Sequence, residues 1–232
     1  MTGIDIATRD LEWDGCDNVR DLGGLAYAGG GTTVRGRLVR ADNLDKLTAA
    51  GWQALWDYGV RTVIDLRNEE ECRREVVRPD GLTMLRVPFD AYASEEWIAQ
   101  WWPPGLPNNM TRYLEDYPEA IRDFGAAIAN AAPGGVVFQC KAGRDRTGMA
   151  SMLLLRLAGV DRETVAADWE YSILRLRSYF ARTGSPDIKD DYLGDPDPEL
   201  LHEIRDQVTA FLKDVEPEKY LGDEVRARLI GG

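Results

Sequence analysis

The sequence is poor in the residues that build most metal sites and disulfide frameworks. Its 232 residues include one histidine and three cysteines. A lone His202, expected to be a solvated helix residue, argues against a histidine-based metal site or a Cys/His dyad. An odd number of cysteines without paired spacing argues against a disulfide framework. We therefore expect a reducing compartment, which also suits a reactive thiol.

Basic residues and long apolar runs are also scarce. Acidic residues outnumber basic ones by 40 to 28, which gives a net charge of −12. That charge argues against a nucleic acid partner and against an anionic membrane bound through a general basic patch. No run approaches the roughly 18 apolar residues of a membrane span, and residues 1–15 lack the apolar core of a signal peptide. We expect a cytoplasmic protein without membrane insertion, and the sequence carries no signal for its oligomeric state.

The hydrophobic content of 44% is enough for one good core, so we expect a single domain over 1–232. Strands alternate with helices early and helices dominate late, including a helical tail over 176–232. This order predicts an α/β fold with a small, partly parallel sheet between helices. The predicted strands are 36–40, 60–66, 82–89 and 136–140. The predicted helices are 48–58, 94–102, 111–131, 147–157, 162–171, 198–213 and 217–229.

A tryptophan-rich stretch lies between Ser94 and Pro107. Trp97 and Trp101 are four residues apart and share one face of a helix. Such a stripe belongs either to a core or to a lid that shields a reaction from water. Both interpretations stay open for the candidate lid, 91–110.

The run Val-Val-Phe-Gln-Cys-Lys-Ala-Gly-Arg-Asp-Arg-Thr-Gly places a thiol and a guanidinium at the two ends of a short loop. An apolar strand leads into Cys140, five residues including Gly143 separate it from Arg146, and a helix-forming segment follows. Successive N–H groups in such a loop, and a helix N-terminus, bind anions. Arg146 offers a fork for two phosphate oxygens, and positive surroundings favour the nucleophilic thiolate of Cys140. The run therefore predicts attack on a phosphate ester.

Neighbouring side chains add to this prediction. The hydroxyl of Thr147 is expected to lie near the sulfur and to stabilise the thiolate when it departs. Lys141 and Arg144 would bind further phosphates, as on an inositol ring or a nucleotide, or merely balance Asp145 and the acidic body. Both interpretations of these two cations stay open.

A second Cys-x5-Arg run serves as an internal control. Cys72 and Arg78 have the same spacing, but their run has no glycine, no preceding apolar strand and no following Thr-Gly. Context decides whether a motif is meaningful. We therefore predict a charged surface helix with an ordinary thiol at Cys72.

The Cys140 run is similar to the signature of cysteine-dependent protein phosphatases. Other blocks narrow the likeness, and together they resemble the bacterial tyrosine/serine phosphatases that also act on phosphoinositides. The resemblance covers most of residues 16–175. Its further blocks are 18–24 (Asn-Val-Arg-Asp-Leu-Gly-Gly), 36–41 (Gly-Arg-Leu-Val-Arg-Ala), 63–67 (Val-Ile-Asp-Leu-Arg) and 161–172, which ends in Asp-x-x-Tyr-Ser.

The resemblance implies a two-step mechanism without a metal or another cofactor. Cys140 would attack phosphorus to give a phosphocysteine, which water then hydrolyses. Arg146 and the loop amides from Lys141 onward, including that of Ala142, would hold the equatorial oxygens. One position departs from the family, which usually has histidine directly before the nucleophile, where this chain has Gln139.

Two carboxyls compete for the role of general acid, which the leaving oxygen requires. Asp90 follows a predicted strand, where these phosphatases carry the acid on a separate loop. Asp145 lies inside the phosphate loop, as the acid does in some phosphoinositide phosphatases, and this fixed position favours it. In the alternative, Asp90 is a turn residue and Asp145 pairs with Arg144 or Arg20.

Two other polar groups are expected to support the loops beside the site. Asp65 and Arg67 are predicted to form a buried ion pair. Asn18, Arg20 and Asp21 are predicted to be loop architecture, with Arg20 also a candidate for substrate contact.

The main functional hypothesis is a phosphomonoesterase for phosphotyrosine or phosphoserine proteins or for phosphoinositides. One alternative is a biosynthetic phosphatase specific for one small phosphorylated metabolite or nucleotide. Another is a catalytically weakened phosphate-binding module, which Gln139 alone supports. A sulfurtransferase also uses a loop cysteine, but the Arg-Thr-Gly exit into a helix fits phosphate better.

Overall fold

A five-stranded sheet lies between helices in the computed structural model, which describes residues 6–72, 76–101, 108–183 and 198–231. The strand order is β1-β2-β5-β3-β4, and only β1 runs antiparallel to its neighbour. The predicted α/β class with a partly parallel sheet is therefore confirmed. The strands are β1 (Arg20–Asp21), β2 (Leu38–Ala41), β3 (Val60–Asp65), β4 (Thr83–Arg86) and β5 (Gly135–Gln139).

Helices surround this sheet. They are α1 (Ala49–Asp57), α2 (Glu95–Trp101), α3 (Asn108–Asp116), α4 (Pro118–Ala129), α5 (Arg146–Ala158), α6 (Arg162–Thr183), α7 (Pro198–Asp214) and α8 (Asp223–Ile230). Short 3-10 turns cover Ile6–Arg9, Leu44–Lys46, Glu69–Glu71, Phe89–Tyr92 and Pro217–Lys219. None of the helices within the described ranges is both long and apolar enough to cross a bilayer.

Alternate residues of the central strand β5 enter two separate cores. Phe138 packs in the larger cluster, where its ring lies 5.4 Å from that of Phe124 on α4. Val137 points to the opposite face, into a smaller cluster with Trp52 and Leu55 of α1. Because side chains alternate along a strand, β5 is buried on both faces and its carboxyl end lies in the middle of the sheet edge.

Some predicted boundaries are wrong for local reasons. The single helix expected over 111–131 is two helices, because Pro118 has no N–H to donate and instead takes the first position of α4. Strand β4 is shorter than 82–89, since Phe89–Tyr92 forms a 3-10 turn. The helix expected from Cys72 to Arg78 is also wrong, because Cys72 ends the turn Glu69–Glu71 and 76–79 has no helix, while 73–75 lie outside the described residues.

Two predicted helix features can be compared with the structure directly. The Thr48 hydroxyl accepts a hydrogen bond from Gly51 N at 3.2 Å, which confirms the predicted start of α1. Helix α6 runs from Arg162 to Thr183, twelve residues beyond the predicted end at 171. Its extension carries Leu176, which packs against Ala142 in the loop after Cys140.

Part of the candidate lid is a packed element. Trp97 is 8% exposed, and its ring lies 5.7 Å from that of Tyr113 and 5.4 Å from that of Tyr117. Its indole N–H donates to Asp116 at 2.8 Å. Trp97 is therefore a core contact, whereas residues 102–107 of the candidate lid lie outside the described residues.

Candidate active site

Cys140 directly follows the central strand β5 and is 2% exposed. The parallel neighbours β2 and β3 end at the same level, with Ala41 and Asp65 both in register with Gln139. Ligands bind at the carboxyl edge of such sheets. The sheet thus places the predicted nucleophile at the centre of its binding edge.

The loop after Cys140 depends on a glycine. Gly143 has φ +68°, a region that other residues rarely adopt. A Cβ at this position would also lie 2.7 Å from the carbonyl oxygen of Ala41. The loop then passes through Asp145, the N-cap residue of α5, so the helix N-terminus faces the same space.

Arg146 lies at the end of the loop, where two carboxylates from other segments bind it. Its Nη1 and Nη2 donate to the two oxygens of Glu71 at 2.5 and 2.7 Å, and Nη1 also donates to Asp90 at 2.8 Å. Burial opposes the charge of Arg146, but these carboxylates and Cys140 outweigh it and raise its pKa. The guanidinium is therefore charged and held in one orientation.

Glu71 is a further residue of the candidate site, and the sequence did not single it out. Its Oε2 also accepts from the backbone N–H of Asn68 at 3.1 Å, in a capping box that closes the turn Glu69–Glu71. Burial opposes its charge, but the hydrogen bonds from Arg146 prevail and lower its pKa. The available signal was the Asn-x-x-Glu spacing of that capping box, hidden in a run of three glutamates typical of a solvated surface.

The two candidate acids have different surroundings. Burial raises the pKa of Asp90, the charge of Glu71 adds to this effect, and Arg146 opposes it. Its Oδ1 is buried with no hydrogen-bond partner among the described residues. Asp145 instead pairs with its neighbour Arg144, at 3.2 Å from Nε and 3.3 Å from Nη2.

The sequence of this chain also matches a known protein family. The model of the tyrosine phosphatase family aligns with residues 11–226. The chain belongs to the tyrosine phosphatase family. A Cupriavidus necator protein named "Putative tyrosine-protein phosphatase" is 32% identical over 168 residues, which cover 69% of this chain and 62% of that one. The "Triple specificity protein phosphatase PtpB" of Mycobacterium tuberculosis is 30% identical over 198 residues, covering 71% and 68% respectively.

The chain thus spans about two thirds of the length of these curated phosphatases. Among solved structures, TpbA of P. aeruginosa aligns over 82% of this chain and 84% of its own, with 18% identity and a TM-score of 0.40.

Two further residues beside Cys140 have defined surroundings. The Thr147 hydroxyl is buried and has no hydrogen-bond partner among the described residues, Cys140 included. The side chain of Gln139 is also buried, and its Oε1 accepts from Leu44 N at 2.8 Å. Gln139 therefore anchors the turn Leu44–Lys46 instead of facing solvent.

The residues predicted to support the candidate site are buried. Asp65 and Arg67 form the predicted buried ion pair, with contacts of 2.7 and 2.9 Å. Arg20 is completely buried and donates to Asp168, Asn18 and Ser172. Arg20 is therefore enclosed by the protein and has no exposed surface.

The surroundings of the other two cysteines, Cys72 and Cys16, disfavour a thiolate. Burial and then the charge of Asp65 raise the pKa of Cys72. Burial, followed by the charge of Asp42, also raises that of Cys16. The described residues contain no group of three or more His, Cys, Asp or Glu side chains arranged to hold a metal ion.

Proposed function

We propose that the protein hydrolyses phosphate monoesters without a metal, through a phosphocysteine at Cys140. The observation that carries this proposal is the position of Cys140, at the base of a glycine-dependent loop that ends in the clamped Arg146. Membership of the tyrosine phosphatase family supports it. Cys140 would supply the nucleophile of a covalent mechanism, and the loop amides with Arg146 would stabilise the charge of the phosphoryl group during transfer.

In the first step, the thiolate of Cys140 attacks phosphorus. A sulfur–phosphorus bond forms, the ester oxygen–phosphorus bond breaks, and the leaving oxygen takes a proton from a carboxylic acid. In the second step, a water molecule attacks phosphorus and gives its proton to the same carboxylate, while the electron pair of the breaking bond returns to sulfur. The Thr147 hydroxyl, which has no partner among the described residues, can donate to that departing thiolate.

Arg146 has one edge left for substrate. Glu71 and Asp90 bind Nη1, and Glu71 also binds Nη2. Nε has no hydrogen-bond partner in the described part of the chain, and Nη2 retains a second N–H. These two N–H groups form a fork for two phosphate oxygens.

We assign the general acid to Asp90, in preference to Asp145. Burial raises the pKa of Asp90, which favours the protonated form that an acid needs. Its carboxyl also lies 2.8 Å from the Arg146 Nη1, on the arginine that binds the phosphate. The Asp145 side chain is the more exposed of the two, at 27% against 15% for Asp90, and it pairs with Arg144 instead of Arg146.

Phosphotyrosine and phosphoserine proteins and phosphoinositides are the proposed substrates. The exposed Lys141 beside Cys140 places a cation next to the loop, where it suits a second phosphate or an acidic peptide. Turnover of phosphotyrosine peptides, phosphoserine peptides and phosphoinositide headgroups distinguishes these classes. Turnover of none of them, with an aryl phosphate still cleaved, would favour a small-molecule phosphatase.

Hydrolysis of p-nitrophenyl phosphate in excess chelator tests the chemistry. We expect turnover by the wild type and no turnover by Cys140→Ser. Cys72→Ser is the matched control, since Cys72 has the same spacing to an arginine, and it should keep wild-type activity. Mass spectrometry after an acid quench should find phosphate on the Cys140 peptide alone, and equal activity in wild type and Cys140→Ser would refute the proposal.

A further inference from the structure

Three successive carbonyl groups of the phosphate loop accept hydrogen bonds from residues outside the loop. The donors are Asn43, Asn18 and Arg40, which we call the framework of the loop. The Lys141 oxygen accepts from Asn43 N at 3.3 Å. The Ala142 oxygen accepts from Asn18 Nδ2 at 3.1 Å, and the Gly143 oxygen from Arg40 Nη2 at 2.6 Å. The last two donors are side chains, so these two hydrogen bonds depend on the residues at positions 18 and 40.

These bonds also fix the loop amides. In a trans peptide, the C=O of one residue and the N–H of the next lie in one plane and point in opposite directions. A framework bond to the Ala142 oxygen therefore turns the Gly143 N–H away from the framework. The bond from Arg40 to the Gly143 oxygen does the same for the Arg144 N–H. The N–H groups of Ala142 and Gly143 have no acceptor among the described residues, as expected for donors that await an anion.

Arg40 can serve this role because it is rigidly held. It is completely buried at the end of β2, and its Nη1 binds Asp168 at 2.5 Å. Its Nη2 also donates to the Ser172 hydroxyl at 2.9 Å. Arg9 and Arg20 bind the same Asp168, and we call these three arginines with Asp168 and Ser172 the buried arginine cluster. Three positive charges around one carboxylate leave a net positive charge beneath the loop.

We propose that Arg40 and Asn18 are positioning residues, which aim the N–H groups of Arg144 and Gly143 at the substrate phosphate. This inference rests on the proposed function, because it concerns the same loop. It gives the block around Arg40 and the Asp-x-x-Tyr-Ser segment of α6 a role in the site: they hold the loop carbonyls back so that the loop amides converge. Neither residue touches the substrate.

The chain contains a matched control for Arg40. Arg9 is equally buried and binds the same Asp168, but its second contact is the Asp21 carbonyl oxygen at 2.6 Å and not the loop. Arg40→Lys keeps the charge and loses the fork that spans Asp168 and Gly143. Arg9→Lys makes the same change without touching the loop. If both variants lose a comparable amount of thermal stability, a difference between them in phosphate binding or activity comes from the loop geometry.

Two quantities are measured first: the affinity for inorganic phosphate, by calorimetry, and kcat/KM for an aryl phosphate. We expect Arg40→Lys to lower both by about tenfold or more, towards the 10²–10³ that loss of one oxyanion-hole donor costs, and Arg9→Lys to lower neither. Equal losses in both variants, or none in Arg40→Lys, would overturn the proposal. Phosphate binding without hydrolysis by the wild type would refute the proposed function only, and the binding comparison would still decide this inference.

Amide chemical shifts provide a readout that a purely structural role would not change selectively. When phosphate is added, the Gly143 and Arg144 amides of the wild type should shift strongly. Arg40→Lys should weaken the Arg144 response most, and Asn18→Asp should weaken the Gly143 response most, because aspartate keeps the contact with Arg20 but cannot donate to Ala142. Asn18→Asp also tests the idea if Arg40→Lys does not fold. Unchanged responses of both amides would contradict it.

Discussion

At the scale of single residues, the choice between Asp90 and Asp145 leads to a pH prediction. A general acid acts while protonated, so activity falls as pH rises through its pKa. Because burial raises the pKa of Asp90, Asp90→Asn should remove the alkaline limb of the profile and lower kcat by about 10²–10⁴-fold on a phosphoserine peptide. Asp145→Asn should retain that limb. The measurement is kcat against pH for both variants.

The leaving group provides the control for this assignment. Nitrophenolate departs without a proton, whereas the serine oxygen must be protonated as it leaves. Asp90→Asn should therefore impair phosphoserine turnover far more than nitrophenyl phosphate turnover. A larger loss of phosphoserine turnover in Asp145→Asn than in Asp90→Asn would assign the role of general acid to Asp145.

Glu71 leads to a second residue-scale prediction. Its two oxygens each accept from one Nη atom and orient Arg146, whereas the amide of glutamine has an NH2 donor in place of one of these acceptors. Glu71→Gln should weaken inhibition by inorganic phosphate and lower kcat/KM by about tenfold or more. Glu70→Gln, at an exposed neighbouring position, is the matched control and should change neither. Equal inhibition constants for phosphate in Glu71→Gln and Glu70→Gln would contradict the idea that Glu71 orients Arg146.

The predictable part of the site was the part contiguous in sequence. Cys140, Gly143 and Arg146 lie within one run, so their spacing indicated a phosphate loop. Glu71 and Asp90 are 75 and 56 residues from Arg146 along the chain. Their contacts with Arg146 exist only after β3 pairs with both β5 and β4, because Glu71 follows β3 and Asp90 follows β4. No local sequence pattern encodes that pairing.

At the scale of elements, the central strands β3 and β5 were located within one residue, whereas β1 was expected to be a loop and the helix break at Pro118 was missed. The β-branched runs of β3 and β5 gave their positions, because continuous apolar runs are typical of strands buried on both faces. The hydrophobic period continued through Tyr117, so it hid the break between α3 and α4. Pro118 was the relevant signal, since proline favours the first turn of a helix over its interior.

Helix α2 gives a prediction about packing. Trp97→Ala removes ring contacts with Tyr113 and Tyr117 and the bond to Asp116. It should lower the free energy of unfolding by about 3–5 kcal/mol, with kcat of the folded enzyme nearly unchanged. Trp56→Ala, at a half-buried position, should cost less. Urea unfolding measures both, and a loss of activity without a loss of stability would indicate a lid instead.

At the scale of the whole molecule, the buried arginine cluster joins distant parts of the chain. Asp168 on α6 binds Arg9 from the first turn, Arg20 from β1 and Arg40 from β2. Removing one partner of a buried ion pair costs about 3–5 kcal/mol, because the remaining charge is left uncompensated. Asp168→Asn leaves three such charges, so it should lower the free energy of unfolding by at least about that amount in urea at pH 7. The exposed Asp206→Asn should leave it unchanged.

The dependence of this loss on pH identifies the group responsible. Burial opposes the charge of Asp168, but the charges of Arg20, Arg9 and Arg40 hold its pKa well below the ordinary value. The carboxylate therefore stabilises the fold fully above its unfolded pKa of about 3.9, and the contribution is lost as pH falls through the folded pKa. The stability gap between wild type and Asp168→Asn should be constant from about pH 7 to pH 5 and should narrow only below about pH 4. A gap that narrows above pH 5 would assign the effect to another titrating group.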